Sequence, residues 1–460
     1  MRYVSTRGRA PALDFDDVLL AGLASDGGLY VPESIPTIEE LPDPSVGYAA
    51  VAAEVIRPFV GDGVVASRLD ELCEAAYRGF AHPDVAPITE LGDDLFLLEL
   101  HWGPTLSFKD YALQLVGRMF DAVLTERSER VLVLGATSGD TGSAAIAGCE
   151  GRDAIDVVIL YPDGRVSDVQ RRQMTTVTAA NVRAVAVGGT FDDCQDLVKA
   201  AFNDPEMRPR YSLAAVNSIN WARVMAQTAY YWWTAAKLGR PFSVAVPTGN
   251  FGNVLAASVA QRMGAPIERL IIGNNANHGL STLISKGRLP LEEVAPTLAP
   301  AMDIAVPSNL ERYLFELFDR SPEATTDALE MFRSARELVL DELAHHEMAS
   351  IFSAGWVDDG HIEQTMSTVY ESRGLLIDPH TAVGWEVGLR LRHDQEPLVI
   401  VSTAHPAKFP DAVIRATGQV PALPSRAAHV LDLPERLSRI EPSLPDLESV
   451  LSEMVRSSHF

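Results

Sequence analysis

The sequence is short of cysteine, of positive charge and of long apolar runs, and each shortage excludes something. Its three cysteines, Cys73, Cys149 and Cys194, are odd in number, and none lies within metal-ligand spacing of another. They are expected to be reduced thiols, forming neither a disulfide framework nor a metal site. Lysine and arginine number 38 against 62 aspartates and glutamates, a net charge of −24. Such a balance argues against a nucleic-acid or anionic-membrane partner, although a locally basic pocket can still take an anionic small molecule. No apolar run reaches the length that spans a bilayer. Residues 1–17, "MRYVSTRGRAPALDFDD", lack the apolar centre of a secretory signal and turn acidic at once. These absences lead to the expectation of a cytoplasmic protein whose partner is a small molecule, with no role for nucleic acid or membrane.

What is present is ordinary globular text: 460 residues, 47% hydrophobic and 22% charged. That length implies two or three domains and a core needing no metal or disulfide staple. Residues 1–92 contain "GLASDGGLYVPESIP" followed by helical, partly acidic text, and read as a small N-terminal domain. From "LFLLEL" (95–100) onward, short apolar strands alternate with amphipathic helices. The clearest strands are "RVLVLGA" (130–136), "IDVVILYP" (155–162), "VRAVAVGG" (182–189), "FSVAVPTG" (242–249), "RLIIGNN" (269–275) and "LVIVSTA" (398–404). Their apolar runs are continuous, which suits parallel strands buried on both faces. In "YALQLVGRMFDAVL" the apolar positions 112, 113, 115, 116, 119 and 120 recur at helical spacing, and Thr190 followed by Asp193 reads as a helix cap. The fold class is therefore α/β with mostly parallel sheets.

In such sheets ligands bind beyond the carboxyl ends of the strands. After the strand at 130–136 comes "GATSGDTGSAAI" (135–146), whose helix N-terminus can hold an anion such as a carboxylate; the plainer reading is an ordinary strand-to-helix turn. After "FSVAV" comes "PTGNFGN" (247–253), a phosphate cradle in outline, with neither a P-loop nor a dinucleotide fingerprint. After "LVIV" comes "STAHPAKF" (402–409), where a strand-end hydroxyl can meet a ring nitrogen. Finally, "HWGPTLSFKDYALQL" (101–115) sets Lys109 among apolar neighbours, directly before the helical pattern. An anion holder, a phosphate cradle, a ring-nitrogen partner and a secluded amine together suit pyridoxal 5'-phosphate with an amino-acid substrate.

Several blocks of this sequence resemble the threonine synthase family: "VSTRG" (4–8), "GLASDGGLYVPE" (22–33), "GPTLSFKD" (103–110), "GATSGDTGSAA" (135–145), "NSINWAR" (217–223), "MDIAVPSNLER" (302–312) and "DPHTAVG" (378–384). The variant with a long N-terminal domain, known from bacteria and fungi, fits better than the shorter one. The resemblance implies the tryptophan-synthase-like, fold-type II architecture of pyridoxal-phosphate enzymes, with two doubly wound domains beside the N-terminal one. The expected division is 1–92 for the N-terminal domain, 93–129 with 226–460 for the larger domain, and 130–225 for the smaller one inserted in it. The implied reaction is conversion of O-phospho-L-homoserine and water to L-threonine and phosphate, by a monomer or homodimer.

The resemblance also assigns roles. Lys109 would be the catalytic lysine that bonds the cofactor, its amine kept neutral by apolar surroundings; the alternative is a lysine that snorkels to solvent. Gly249, Asn250, Phe251, Gly252 and Asn253 would hold the cofactor phosphate, and Thr403 would face the ring nitrogen. Asp140 would lie beside the cofactor's ring oxygen, where a carboxylate accepts and does not donate. Thr137, Ser138 and Thr141 are candidates for the substrate carboxylate. Asn217, Ser218 and Arg223, with Asn250, are candidates for the substrate phosphate; Arg223 has a plainer reading as a salt-bridged helix residue. His405 is read equally as a proton-network member or a strand-end histidine, Trp232 and Trp233 as core aromatics, and His345 and His346 as solvated. Two rivals remain: another lyase of the same fold, such as a serine or threonine dehydratase or a phospholyase, and a catalytically silent ligand-binding paralogue.

Overall fold

The computed structural model describes residues 1–215 and 219–457. Two parallel sheets carry the molecule. The larger has six strands in the order Phe352–Trp356, Ile267–Asn274, Phe242–Pro247, Leu398–Ser402, Leu95–Glu99 and Ile88–Gly92. All pairings are parallel except that of Ile88–Gly92, which closes one edge antiparallel. The smaller sheet is parallel throughout, in the order Leu437–Ile440, Val182–Val187, Ile155–Pro162, Val131–Ala136 and Leu213–Ala214. Every residue of Ile155–Pro162 and of Phe242–Pro247 is buried, as continuous apolar text requires of a strand covered on both faces.

The expected larger domain, 226–460, needs a correction at its end. Leu437–Ile440 pairs with Val182–Val187 and so extends the smaller sheet. Leu447, Leu451 and Met454 of the following helix, Leu444–Ser457, bury against Leu132, Val158 and Val185 of that sheet. The strand is only four residues, "LSRI", without a fully buried position, so its text shows neither alternation nor a continuous apolar run.

The N-terminal residues form a three-stranded antiparallel sheet, Leu13–Asp14, Arg2–Ser5 and Tyr30–Pro32, followed by helices Tyr48–Val60 and Val64–Tyr77. These helices reach the centre of the molecule through a cluster of perpendicular rings, in which Tyr48 meets Tyr77, Tyr111 and Trp233. Trp232 and Trp233 are buried as expected, and Trp233 Nε1 donates to the Ala86 carbonyl at 2.8 Å. The expected cap at Thr190 is a full capping box with Asp193. His346 is exposed, but His345 is half-buried with its Nε2 2.9 Å from the Ile284 carbonyl, so solvation describes only the first of the two. The three cysteines are free and buried, and burial pushes the Cys73 and Cys149 thiols up to about 12.

One contact fixes the geometry between the sheets. Helix Lys109–Arg127 follows the edge strands of the larger sheet, and helix Asp140–Cys149 follows the first strand of the smaller one. They cross at glycines. A Cβ on Gly117 would lie 2.1 Å from the Gly148 carbonyl oxygen, and one on Gly148 would lie 2.3 Å from that of Leu113. Only glycine permits this backbone-to-backbone approach.

Candidate active site

Lys109 opens its helix. Just before it, Leu106 adopts a left-handed conformation, φ 65°, uncommon for a residue with a side chain and a form of strain that collects at functional sites. Two further contacts make a clasp: Phe108 N–H donates to the Thr403 carbonyl at 2.8 Å, and His405 N–H to that of Leu106 at 3.0 Å. Thr403 N–H in turn reaches Thr381 Oγ1 at 3.3 Å. The clasp thereby holds Lys109 and Thr403, distant in sequence, side by side at the carboxyl end of the larger sheet. The Lys109 ammonium is buried, 4.8 Å from the centre of the Phe108 ring. Burial lowers its proton affinity, Asp140 opposes this, and the charges of Lys408 and Arg223 add to it.

Asp140 is the first residue of its helix and 6% exposed. Its Oδ2 lies 3.3 Å from Lys109 Nζ, and its Oδ1 accepts from both Lys408 Nζ and Gln170 Nε2, each at 2.8 Å. Burial alone would raise its pKa; the two ammoniums and the amide outweigh burial and hold the carboxyl well below the usual range. Asp140 is therefore an acceptor at neutral pH. Thr137 Oγ1 accepts from the amides of Gly139 and Gly142, both at 2.9 Å, so its oxygen caps the helix. Its hydroxyl proton alone remains for a ligand, which narrows the role expected of it. Ser138 is exposed and Thr141 half-buried beside this cap.

The cradle lies at the end of Phe242–Pro247, the strand adjacent to Leu398–Ser402. Phe251 is left-handed, φ 61°, and turns the chain into helix Gly252–Arg262. The loop is roofed closely: a Cβ on Gly249 would lie 2.7 Å from Ala301 O and 2.8 Å from the Met302 Cα. Asn250 Oδ1 accepts from Ser308 N–H at 2.6 Å. Two of the expected phosphate ligands turn their side chains elsewhere. The Phe251 ring packs near Tyr313 and Phe352, and Asn253 Oδ1 accepts from the hydroxyls of Tyr230 and Tyr231. What these residues offer an anion is the amide array of a helix N-terminus and Asn253 Nδ2, buried with no partner among the described residues.

Arg223 sits in the first turn of helix Trp221–Leu238, 4% exposed. Its Nε and Nη1 are buried with no hydrogen-bond partner among the described residues, and burial pulls its pKa down to about 10. It has no salt bridge there, which removes the plainer reading of this arginine. Asn217 and Ser218 lie outside the described residues.

Four contributors escaped the sequence reading. Gln170, which steadies Asp140, was announced by the capping-box spacing of "SDVQ", and its Oε1 does accept from Ser167 N–H at 3.3 Å. Lys408 had no signal beyond its nearness to Thr403. Asp110, buried beside Lys109, accepts from Thr105 Oγ1 at 2.6 Å and N–H at 2.9 Å, and burial pushes its pKa up to about 6. Arg312, fully buried, donates to the carbonyls of Tyr30 and Ile219 and to Asn309 Oδ1; Asn309 in turn donates to the Asn250 carbonyl. One guanidinium thus joins the N-terminal sheet, the segment leading to Arg223 and the cradle. His405 Nδ1 accepts from Ala407 N–H at 3.2 Å, and burial and Arg426 pull its pKa down to about 4, so the ring is neutral near pH 7.

Residues 2–77 match the family described as threonine synthase N terminus, 84–354 the pyridoxal-phosphate dependent enzyme family, and 381–451 the threonine synthase C-terminal family. The chain is 46% identical to a threonine synthase of Pseudomonas aeruginosa, over 98% of each chain. It superimposes on the crystal structure of pyridoxal-phosphate-bound threonine synthase from Brucella melitensis with a TM-score of 0.96 and 44% identity, covering 99% of this chain and 100% of that one. The yeast threonine synthase structure gives 0.93 and 34%, covering 99% of each.

Proposed function

The chain belongs to the threonine synthase family of pyridoxal-phosphate-dependent enzymes, and on that premise we propose that its cleft takes O-phospho-L-homoserine and water and returns L-threonine and phosphate. The donor set fits the cofactor: a buried lysine of lowered proton affinity, a roofed glycine–asparagine turn at a helix N-terminus, and a threonine whose backbone is gripped at a strand end. Lys109 would bond it; Gly249, Asn250, Phe251, Gly252 and Asn253 would hold its phosphate, the last three through their amides. Thr403 would face its ring nitrogen and Asp140 its ring oxygen. Pyridoxal phosphate supplies the electron sink for carbanion chemistry.

The chain's own residues do the rest. The amides at the start of helix Asp140–Cys149, with Ser138, Thr141 and the Thr137 hydroxyl proton, would receive the substrate carboxylate. Arg223, with Asn217, Ser218 and Asn250, would receive the substrate phosphate. That phosphate departs from Cγ, so charge grows on it as the bond breaks, and a preorganised guanidinium favours the transition state over the ground state. Lys109 Nζ would move the protons at Cα and Cβ, with Asp140 fixed as an acceptor beside it.

The single observation that carries this reading is the Arg223 guanidinium, buried near Lys109 with two nitrogens unpartnered among the described residues. Desolvated cations without partners are costly, and an arriving dianion would satisfy this one. The test is incubation of the holoenzyme with O-phospho-L-homoserine, assaying threonine, 2-oxobutanoate and phosphate together. Threonine and phosphate in equal amounts are expected; 2-oxobutanoate in place of threonine would favour a phospholyase.

The proposed units are 1–92, then 93–129 with 226 to about 430, and 130–225 joined by the terminal strand and helix. No helix among the described residues is long and apolar enough to cross a membrane, and we place the enzyme in the cytoplasm, as a monomer or homodimer.

A further inference from the structure

Two lysines share one carboxylate in this site, and they are not equivalent. Lys109 makes a single contact with Asp140 at 3.3 Å. Lys408 is wholly buried, lies 2.8 Å from the other oxygen of Asp140 and also donates to the Thr105 carbonyl at 2.7 Å. Its chain is pinned as well, since it ends the short turn Pro406–Lys408 that His405 caps. Lys109 is the loosely held member of the pair and Lys408 the fixed one.

We propose that Lys408 is a positioning residue: its fixed ammonium shares the charge of Asp140 and so keeps that carboxylate from retaining the proton on Lys109. Asp140 alone, 3.3 Å away, would stabilise the Lys109 ammonium and oppose the neutral amine that condenses with an aldehyde. With Lys408 on its other oxygen, the charge that Lys109 feels is partly cancelled. Gln170 adds a third donor that keeps Asp140 ionised and orients it. When Lys109 is bonded to the cofactor, Lys408 remains as the counterion, so Asp140 is never left as a lone buried charge.

Among the described residues, the other charged or titratable groups around the pair are Asp110 and His405, which feel Lys408, and Arg223, whose charge Lys109 feels. His405 is neutral above about pH 4 and Asp110 titrates near 6. Lys408 lowers the Asp110 pKa, so its removal moves that titration upward, and the effect on Lys109 is read from the alkaline limb of the profile, above both.

The inference rests on Lys109 being the lysine that takes the cofactor. The experiment frees the full-length chain of cofactor and adds pyridoxal phosphate at saturating concentration. The first-order rate of covalent capture is followed by visible absorbance between pH 6.5 and 10, and borohydride-reduced adducts are located by peptide mapping. Lys408→Met is expected to move the midpoint of this profile upward by about one pH unit or more, roughly a tenfold loss of capture rate below the midpoint. A role in packing alone would lower the melting temperature and leave the midpoint in place. Should Lys408→Met not fold, Lys408→Gln, which keeps a donor for Asp140 and the Thr105 carbonyl but no charge, is expected to raise the midpoint in the same way. Coincident midpoints with the adduct on Lys109 overturn the role of Lys408. An adduct on Lys408 or any other lysine overturns the reading of the site itself.

Discussion

Replacing Arg223 with methionine should separate folding from catalysis. The guanidinium has Nε and Nη1 buried with no partner among the described residues, and burial opposes its charge enough to lower its pKa to about 10. In the ligand-free protein it is a source of instability, because a buried ion with no partner among the described residues gains little there to offset its desolvation. Methionine keeps most of the aliphatic stem and removes the charge. The melting temperature of the ligand-free variant should therefore hold or rise. With substrate the account reverses. A phosphate would meet the two unpaired donors, and hydrogen bonds to charged groups contribute about 1.5–3 kcal/mol each. Losing two of them should cost about 3–6 kcal/mol of transition-state stabilisation, a fall of about two to four orders of magnitude in kcat/KM. Arg223→Lys keeps a point charge without the planar fork and should lose roughly tenfold. Steady-state kinetics with O-phospho-L-homoserine, run beside thermal melts, decide the matter. A methionine variant that melts several degrees lower yet turns over substrate normally would show the guanidinium to be structural and the phosphate to be held elsewhere.

Gly252 tests the cradle by a contrast: an added Cβ would meet Asn309 Nδ2 only at 3.4 Å, so Gly252→Ala should bind pyridoxal phosphate nearly normally, whereas Gly252→Asp should weaken binding by tenfold or more, measured by equilibrium titration, because its carboxylate faces the phosphate. His405 gives a pH signature. Its pKa falls from 6.5 to about 4 on folding, so the unfolded chain binds more protons and the stability linked to this ring, full above pH 6.5, is lost as pH falls toward 4. Denaturant melts of His405→Asn should show a shallower decline across that window, by on the order of 3 kcal/mol in total, and the comparison with the parent cancels the opposite trend of Asp110, whose pKa rises on folding. Arg312→Met should lower kcat/KM at least tenfold while leaving cofactor content intact, because it frees the Ile219 segment and the N-terminal sheet while Asn309 keeps its own backbone N–H contact to the Asn250 carbonyl; an unchanged kcat/KM would detach the N-terminal domain from the site.

How much of this was legible depends on how far each signal reaches along the chain. Continuous apolar runs located the central strands, since burial on both faces leaves its mark in consecutive residues. Lys109 was conspicuous because a charge among Leu106, Phe108 and Tyr111 needs a reason. The cradle was legible for its glycines, though not for the way Phe251 turns its ring into the core, or Tyr230 and Tyr231 take Asn253 Oδ1 while its Nδ2 has no partner among the described residues. Lys408 was opaque, and Gln170 legible only as a helix cap, because their partner, Asp140, is brought to them only by the folding of both sheets. Leu437–Ile440 was lost for the opposite reason: it is short and partly exposed, and its place in the smaller sheet is decided by pairing with Val182–Val187, which local text does not encode.

The glycine crossing of helices Lys109–Arg127 and Asp140–Cys149 has a consequence for how such a site withstands sequence change. The two helices begin at Lys109 and Asp140, and they touch through glycine against main chain: Gly117 against Gly148 O, and Gly148 against Leu113 O. A spacing set by main chain on main chain has no rotamers to drift and no side-chain volumes to trade. Neighbouring positions on the two helices can exchange one apolar residue for another while the gap from Lys109 to Asp140 stays as it is. The addition of a single methyl group at either glycine would wedge the helices apart and open that gap from a distance, in a variant whose cleft residues are all intact.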